Sequence, residues 1–343
     1  MSLIKYIFRR ILIMVPILFG VLTLTFILSR LMPGDPIIAR IRALGINRIS
    51  FEEYQHMKCQ LGLCDPMAVQ YFRFISELFT GDWGVSVSIT RNEPVWDLVI
   101  KKMPLTIDLT IFTMVISIFF GLKTGIISAT HRNETTDTVT RGIALIGVSL
   151  PVFFLGMLLQ YILGVQFGWF DPTGHLSSTL EDPSFITGFI IIDAIMSGQW
   201  YLVGDYLWHL FLPVFCLSFI MLASITRQTR SSVLEVMQQD YIRTARAKGC
   251  EEKDILRVHT MRNALIPTIT IIGIRFSGLL GGSMITESVF GLSGIGKLFV
   301  DAILLYDYWV INAIIFIETI IIIFVNLLVD IIYAILDPRI RFK

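Results

Sequence analysis

One stretch of the sequence has the residue types and spacing of a phosphate-binding loop. Gly291-Leu-Ser-Gly-Ile-Gly-Lys297 matches the first seven positions of the pattern Gly-x-x-x-x-Gly-Lys. The next residue is Leu298, so the hydroxyl that binds Mg²⁺ in such loops is missing, and no strand precedes the glycines. We therefore interpret this stretch as a glycine-rich turn and not as a nucleotide site.

Several ionisable residues lie inside long apolar stretches, where charge is costly and commonly functional, and three of them are candidates for a site. Arg275 and Glu318 each lie about ten residues inside the outer end of their stretch, roughly 15 Å deep. A buried Arg275–Glu318 ion pair is our hypothesis, either as a link between two helices or as part of a pore lining. Asp108, near the outer end of another stretch, is a further candidate for a pore residue.

The cysteines and histidines predict little chemistry of their own. Cys59 and Cys64 are five positions apart, which allows either a local disulfide or two free thiols. The five histidines are scattered without metal-ligand spacing, so no metal site is predicted. The apolar stretches contain no His/Glu metal motif and no Ser/His pairing, so no catalytic residue is predicted either.

A basic segment with helical spacing, loop 227–262, is the most informative part of the chain. It carries eight Lys or Arg residues interleaved with five acidic ones. Val233 to Lys248 can form a helix that Gly249 stops, and a second helix with acidic residues at its start leads to Pro267. Contact with lipid headgroups is one interpretation, although a lipid-binding patch is usually more purely basic. A rigid helical hairpin that docks on a soluble partner is the other.

The elements around this loop are predicted from composition. The 343 residues are 54% hydrophobic and 16% charged, whereas soluble domains carry about 25% charged residues. The formal net charge of +1 argues against a nucleic-acid-binding protein. Six apolar stretches reach the roughly 20 residues that cross a bilayer, which predicts an all-α, multi-pass membrane protein. They are Ile11 to Ser29, Met103 to Ala129, Gly142 to Phe170, Tyr206 to Thr226, Asn263 to Thr286 and Tyr308 to Ile335.

The distribution of basic residues predicts that both termini lie inside. Segments 131–141 and 227–262 and the C-terminal tail are rich in Lys and Arg, whereas 171–205 has none. Short loops with excess Lys and Arg stay on the cytoplasmic side. The first stretch lacks a small-x-small cleavage pattern, so it is predicted to remain as a membrane anchor.

Three regions follow from this topology. Residues 1–31 contain the first span, residues 32–102 form a small extracytoplasmic domain, and residues 103–343 hold the remaining five spans with loop 227–262. Ser50 and Glu53 have capping-box spacing, which predicts a short helix from Phe51. The apolar segment 185–196 is too short to span and predicts a surface helix or a re-entrant segment on the outer face.

The chain resembles the permease subunits of binding-protein-dependent ABC importers, in particular the dipeptide, oligopeptide and nickel branch. The general coupling motif of such permeases is Glu-Ala-Ala-x-x-x-Gly, and this chain has Arg243 and Thr244 in place of its Glu and first Ala. The peptide branch instead reads Tyr-x-Arg-Thr-Ala-Arg-Ala-Lys-Gly, which Tyr241 to Gly249 matches throughout. Further matching stretches are Met32 to Pro36, Gly81 to Gly84, His259 to Pro267, Glu287 to Gly296 and Leu336 to Arg341.

The resemblance implies a transport subunit of the cytoplasmic (inner) membrane, the first permease of a pair, that moves short peptides. Its implied partners are a homologous second permease, two ATPase subunits, an extracytoplasmic substrate-binding protein and membrane lipid, without nucleic acid. ATP and Mg²⁺ are then held by the ATPases, and this chain binds no cofactor and is not itself an enzyme. The implied ATPase-coupling residues are Tyr241, Arg243, Thr244, Ala245, Arg246, Lys248 and Gly249.

Two alternatives remain open from the sequence. The same machinery serves nickel or oligosaccharides in related systems, so the solute is not fixed by the motifs. A proton-coupled secondary transporter belongs to a different class, and Arg275, Glu318 and Asp330 are its candidate charged groups. Transport that needs no ATPase would favour that second class.

Overall fold

The computed structural model describes residues 3–31, 35–46, 49–90 and 92–336. Within these ranges the chain is helical, and its frame consists of five helices of 29 to 38 residues. They are α1 (Leu3–Leu31), α5 (Val95–Thr130), α9 (Trp200–Met237), α12 (Met261–Val289) and α14 (Tyr308–Leu336).

Shorter helices connect these five. They are α2 (Pro36–Ala43), α3 (Phe51–Gln60), α4 (Met67–Thr80), α6 (Thr135–Ser149), α7 (Val152–Leu159), α8 (Ile190–Met196), α10 (Asp240–Ala247), α11 (Glu252–Asp254) and α13 (Ile295–Leu304). Two π-helical segments, Gln160–Gln166 and Ile255–Thr260, continue α7 and α11.

Four of the described helices are long and apolar enough to cross a membrane: Ile7–Leu31, Val95–Thr130, Trp200–Met237 and Tyr308–Ile332. A fifth candidate is a pair of helices, Thr135–Ser149 and Val152–Gln166, that meet at 101°. α12 extends over the predicted fifth span and has 29 residues. The fold is therefore an all-α membrane fold with at least four apolar helices of spanning length.

The predicted third span is not a single helix from Gly142 to Phe170, and that prediction of one continuous helix is wrong. α6 ends at Ser149 and the chain turns sharply before α7. Pro151 causes the break, because it lacks an N–H and disfavours helical geometry at the residue before it. Leu150 accordingly has extended backbone angles, φ −84° and ψ 129°.

The short helix predicted from Phe51 is present with its capping box. The Ser50 side chain accepts from the Glu53 N–H, and the Glu53 carboxylate accepts from the Ser50 N–H. Gly62 ends the turn that follows α3, with φ +68°. A disulfide joins Cys59 and Cys64, whose Cα atoms are 4.9 Å apart. The structure thus takes the first of the two alternatives that the spacing of these cysteines left open.

The segment between α1 and α5 packs on the long helices through one apolar cluster. Phe74 and Trp83 of this segment lie in the same buried cluster as Phe26 of α1 and Phe316 of α14. The segment extends into α5, which begins eight residues before the predicted second span. Whether residues 32–102 form a domain of their own stays a prediction, since their apolar core is shared with α1 and α14.

A buried carboxylate fastens this segment to the junction between α13 and α14. The Asp307 Oδ2 atom accepts from the Ser86 hydroxyl at 2.6 Å and from the N–H groups of Val87 and Ser88 at 2.9 and 3.0 Å. Asp307 is fully buried, and each of these bonds to a charged group is stronger than a neutral one. The segment between α1 and α5 is therefore fixed relative to α14.

The centre of the molecule is α9, packed along α5 at very short range. A Cβ atom added to Gly125 of α5 would lie 2.6 Å from the Cβ of Thr229, and one added to Gly121 would lie 2.8 Å from the Cβ of Ile225. Small residues of this kind let helix backbones approach closely in membrane proteins. α9 also contacts α6 and α12, so it connects α5, α6 and α12 to one another.

Candidate functional site

The predicted protrusion is a hairpin made of α10, α11 and the π-helical segment Ile255–Thr260. The prediction of one helix from Val233 to Lys248 is wrong, because α9 ends at Met237 and α10 begins anew at Asp240. Gln239 has extended backbone angles, φ −70° and ψ 150°. α10 is thus a separate short helix that can lie at an angle to α9.

Gly249 ends α10 as the sequence predicted. Its φ of +79° lies in the left-handed region, which favours glycine because it has no Cβ. The Gly249 N–H donates to the Arg246 carbonyl at 2.9 Å, and the Cys250 N–H donates to the Ala245 carbonyl at 3.2 Å. These two bonds form the Schellman motif that closes many helices. The corner of the hairpin is therefore set by local backbone chemistry.

α10 has one buried face and one exposed face. Ile242 and Ala245, three residues apart, are buried against Ile255 of the returning segment. This spacing is the one that places side chains on the same side of a helix. The remaining predicted coupling residues point outward, with Tyr241 41% exposed. The exposed positions are Tyr241, Arg243, Thr244, Arg246, Lys248 and Gly249.

Polar contacts tie the two arms of the hairpin together. Arg246 donates to Glu252 through Nε at 2.6 Å and through Nη2 at 3.2 Å. This bidentate contact lowers the pKa of Glu252. The Tyr241 hydroxyl accepts from Asn263 Nδ2 at 2.8 Å, which links α10 to the start of α12. These hydrogen bonds hold the two arms of the hairpin together, while the basic face of α10 stays exposed.

A buried ion pair supports the helices at the base of the hairpin. Asp137 of α6 is fully buried and accepts from Arg230 of α9 through both carboxylate oxygens, at 2.7 and 2.8 Å. It also accepts from the Ser128 hydroxyl of α5 at 2.6 Å and from the Asn133 N–H at 3.0 Å. Four hydrogen bonds satisfy the carboxylate, which is the condition under which a buried charge is tolerated. α5, α6 and α9 therefore meet at one residue.

The glycine-rich stretch that resembles a phosphate loop binds a carboxylate of this chain. The Lys297 N–H donates to Glu287 Oε2 at 3.0 Å, and the Ile295 N–H donates to the Thr106 hydroxyl at 2.9 Å. Thr106 in turn donates to Glu287 Oε1 at 2.7 Å. Backbone donors of the kind that hold a phosphate are thus already engaged by α5 and α12. This geometry supports the interpretation as a structural turn.

The ion pair proposed between Arg275 and Glu318 is not present among the ion pairs of the described residues, and we correct that hypothesis. Gly273 of α12 packs directly on Val329 of α14, where an added Cβ would lie 2.6 Å from Val329 Cγ2. Arg275 is two residues further, so it points about 200° away around the helix. Since α12 and α14 are antiparallel, this register also places Arg275 and Glu318 roughly 13 Å apart along the axis.

The remaining candidate pore residue has a partner within the chain. Asp108 Oδ2 accepts from the hydroxyl of Tyr206, which is buried in α9, at 2.9 Å. A role for Asp108 in a transport pathway stays a prediction. Among the residues that the structure describes, no group of three or more His, Cys, Asp or Glu side chains could hold a metal ion.

Sequence reasoning missed the residues that hold the site together. Asp137 and Arg230 are 93 positions apart, and Thr106 and Glu287 are 181 apart. An acidic residue within the basic segment 131–141 was the available signal for Asp137. The Glu that opens the stretch Glu287 to Gly296 was visible, but nothing in its spacing indicated Thr106.

Comparison with known families gives two matches that together cover nearly the whole chain. Residues 121–342 match the model described as "Binding-protein-dependent transport system inner membrane component". Residues 3–110 match the model for the N-terminal part of such membrane components.

Individual relatives are similar over their full length. The dipeptide transport system permease protein of Alkalihalophilus pseudofirmus is 38% identical, with 99% of this chain and 100% of the relative covered. The di/tripeptide transport system permease protein of Pseudomonas aeruginosa is 38% identical over 99% of each chain. A solved structure of the MetNI methionine ABC transporter in an inward-facing conformation has a TM-score of 0.54 at 18% identity. It covers 71% of this chain and 99% of that one, and it indicates a shared fold.

Proposed function

We propose that this chain, which belongs to the family of binding-protein-dependent transport system inner membrane components, is the permease subunit of an ABC importer for short peptides. In this proposal the chain crosses the cytoplasmic membrane six times, with both termini inside. It pairs with a homologous permease, two ATPase subunits and an extracytoplasmic binding protein. The relatives reported above are named for dipeptides and di/tripeptides, which favours peptides over nickel or oligosaccharides.

In this mechanism the chain does no chemistry and transmits movement. The exposed face of α10, with Arg243, Thr244 and Lys248, docks on an ATPase subunit. When the ATPases close on ATP, they displace α10 as a unit, because Ile242 and Ala245 hold it to the returning arm. The displacement passes into α9 and α12 and changes which side of the membrane the pathway opens to.

The construction of the hairpin is the observation that carries the proposal. A loop that merely contacts lipid needs no Schellman corner, no bidentate Arg246–Glu252 contact and no buried apolar face. These features make a short helix rigid while leaving its basic face exposed. A rigid exposed face is what a mechanical contact with another protein requires.

Labelling of the exposed thiol Cys250 tests the docking. Cys250 follows Gly249 at the corner of the hairpin, whereas Cys216 is buried and the other two cysteines form the disulfide. We expect a maleimide to label Cys250 rapidly in the permease pair, and at least about tenfold more slowly after the ATPase subunits are added. Unchanged labelling would contradict docking at the hairpin.

Uptake of a labelled dipeptide into proteoliposomes tests the transport function in the same preparation. Uptake should require the ATPases, ATP and the binding protein together. Uptake that continues without ATPase subunits would instead identify a proton-coupled secondary transporter. A variant with the ATPase Walker lysine replaced is the matched control, because it keeps docking and abolishes hydrolysis.

A further inference from the structure

A cationic cleft opens between α5, α6 and α9, near the base of the hairpin. Its volume is about 360 Å³. Three arginines line it, Arg141 of α6 and Arg227 and Arg230 of α9, together with the hydroxyls of Thr140 and Ser231. The lining residues, all of them within the described ranges, include no Asp or Glu.

The charge of this cleft is not neutralised by the chain itself. The nearby carboxylate of Asp137 is already engaged by both Arg230 contacts and lies 3.7 Å from Arg141. Arg227 is exposed and makes no ion pair with a described residue. One carboxylate against three guanidinium groups leaves an excess of about two positive charges, so the cleft is complementary to an anion.

Next to Arg141, Ala144 and Leu145 of α6 give the cleft an apolar lining. Leu145 lines it and is 67% exposed. Ile143 and Ile146, its neighbours on α6, are 47% and 56% exposed. The lining also straddles the predicted edge of the membrane, since the apolar stretches of the third and fourth spans begin at Gly142 and end at Thr226. Charge and apolar surface therefore meet at headgroup depth.

We propose that this cleft binds the headgroup of an anionic phospholipid of the cytoplasmic leaflet. Arg227 and Arg141 supply donors to the phosphate oxygens, and Ser231 supplies a hydroxyl. Arg230 is held in place by Asp137, and the acyl chains lie along Leu145. Basic pockets between helices on the cytoplasmic side are suited to such headgroups. The inference rests on the orientation in the proposed function.

The site has a structural consequence for the hairpin. The bound headgroup contacts α6 and α9 on the side where Asp137 already joins them to α5. Arg227 lies ten residues, or about 15 Å of helix, before the end of α9 at Met237. A lipid in the cleft would therefore stabilise the base from which α10 projects.

The test uses the purified complex of permeases and ATPases, stripped of lipid in detergent. Its thermal unfolding is followed while dioleoyl phosphatidylglycerol, dioleoyl phosphatidylcholine or inorganic phosphate is added. We expect only phosphatidylglycerol to raise the Tm saturably. Arg227→Gln and Arg141→Gln should each weaken its apparent affinity about fivefold, and the double variant about 25-fold.

Arg132→Gln is the matched control, because Arg132 is an exposed arginine of segment 131–141 that does not line the cleft. An equal shift with phosphatidylcholine, or equal effects of Arg132→Gln and Arg227→Gln, overturns the proposal. A shift with inorganic phosphate that Arg227→Gln removes identifies a free-anion site and also overturns it. A lipid effect that is present in the isolated permease pair but absent from the complex with the ATPases identifies a protein occupant and also overturns the proposal.

These outcomes are independent of transport. An arginine-dependent lipid affinity in a complex that fails to move peptides would leave the lipid site standing and contradict the proposed function. Peptide transport without any lipid specificity would support the proposed function and contradict the lipid site.

Discussion

At the scale of single residues, the hairpin depends on a few local choices that each have a definite physical reason. Gly249 supplies a left-handed backbone angle, and nothing lies within 4 Å of the position that its Cβ would take. Glycine is therefore needed at this position for its backbone conformation and not because a side chain would lack space. Glu252 supplies the carboxylate that holds Arg246 across the corner.

Gly249→Ala should weaken the hairpin without disturbing the rest of the chain. A non-glycine residue in the left-handed region costs roughly 1–2 kcal/mol, and no clash adds to it. We expect faster amide hydrogen exchange in residues 240–254 and a several-fold loss of ATP-driven uptake at unchanged membrane insertion. Gly249→Asn is the matched control, because Asn tolerates this region, and it should retain most of the uptake.

The Arg246–Glu252 contact should make the hairpin sensitive to acid. The contact lowers the pKa of Glu252 below its ordinary value of 4.5. It therefore stabilises the hairpin fully above that value, and the stabilisation is lost as the pH falls through the lowered pKa. A spin label on Cys250 should become more mobile as the pH is lowered from 7 to 3.

Two variants separate this contact from general effects of acid. Glu252→Gln should give a label that is already mobile at pH 7 and responds little to acid. Glu251→Gln, an exposed neighbour with no ion pair to a described residue, should keep the response of the unchanged chain. Identical titrations of the two variants would contradict a role for the contact.

At the scale of elements, close approaches between helices decide where side chains cannot be accommodated. Gly296, the second residue of α13, lies directly against α12, where an added Cβ would lie 2.5 Å from the Cα of Met284. Gly294 is equally close to Glu287 and Thr106. The glycines of this turn are therefore required by packing of the turn against α5 and α12.

Gly296→Ala should destabilise the junction of α12 and α13. The backbone of Met284 cannot move aside as a flexible side chain would, and overpacking of this kind costs about 1–3 kcal/mol. Gly142→Ala is the control, because it lies in helix α6 with nothing within 4 Å. We expect a lowered Tm for Gly296→Ala and an unchanged or slightly raised Tm for Gly142→Ala, and equal values would contradict this account.

Local signals in the sequence predicted the elements better than they predicted their continuity. The Ser50 cap and the Gly249 stop were found because each acts within a few residues. The bend at Pro151 was missed because the stretch around it is uniformly apolar, and apolar composition outweighed one proline. The break at Gln239 carries no proline or glycine at all, so it depends on the packing of α10 on Ile255.

The candidate site was predictable to the same extent. The exposed motif on α10 could be read directly, since its residues are contiguous. The contact between Asp137 and Arg230 could not be predicted in this way, because residues so distant in sequence come together only in the folded chain. The erroneous Arg275–Glu318 pair shows the same limit, since counting residues from the ends of two apolar stretches gives neither the register of the two helices nor the face that each side chain occupies.

At the scale of the whole molecule, the proposed orientation places the hairpin and the disulfide on opposite sides of the membrane. Cys59 and Cys64 belong to the outer segment, where oxidation is favoured, and Cys250 belongs to the cytoplasmic hairpin. Three of the four cysteines of the chain thus provide markers of sidedness, because Cys216 is buried.

A membrane-impermeant maleimide should therefore distinguish the two faces. In intact cells Cys250 should stay unlabelled, and in inside-out vesicles from cells without the ATPase subunits it should react fully. Reduction of intact cells with an impermeant phosphine should make the Cys59–Cys64 pair reactive. Labelling of Cys250 in sealed intact cells would contradict the orientation. Cys250→Ser is the control, because loss of labelling in this variant assigns the maleimide signal of inside-out vesicles to Cys250.

The unbroken length of α9 has a mechanical consequence. From Trp200 to Met237 it has 38 residues, or about 57 Å, nearly twice the roughly 30 Å of a bilayer's hydrocarbon core. If it tilts as one body, a helix of that length converts a tilt of about 5° into a movement of about 5 Å at its tip, close to one helical pitch. Pro213 lies inside it and is the point at which bending would reduce this movement. At its other end Asp205 accepts from the Ser177 N–H and hydroxyl, so a small push on segment 171–205 arrives, magnified, where α10 begins.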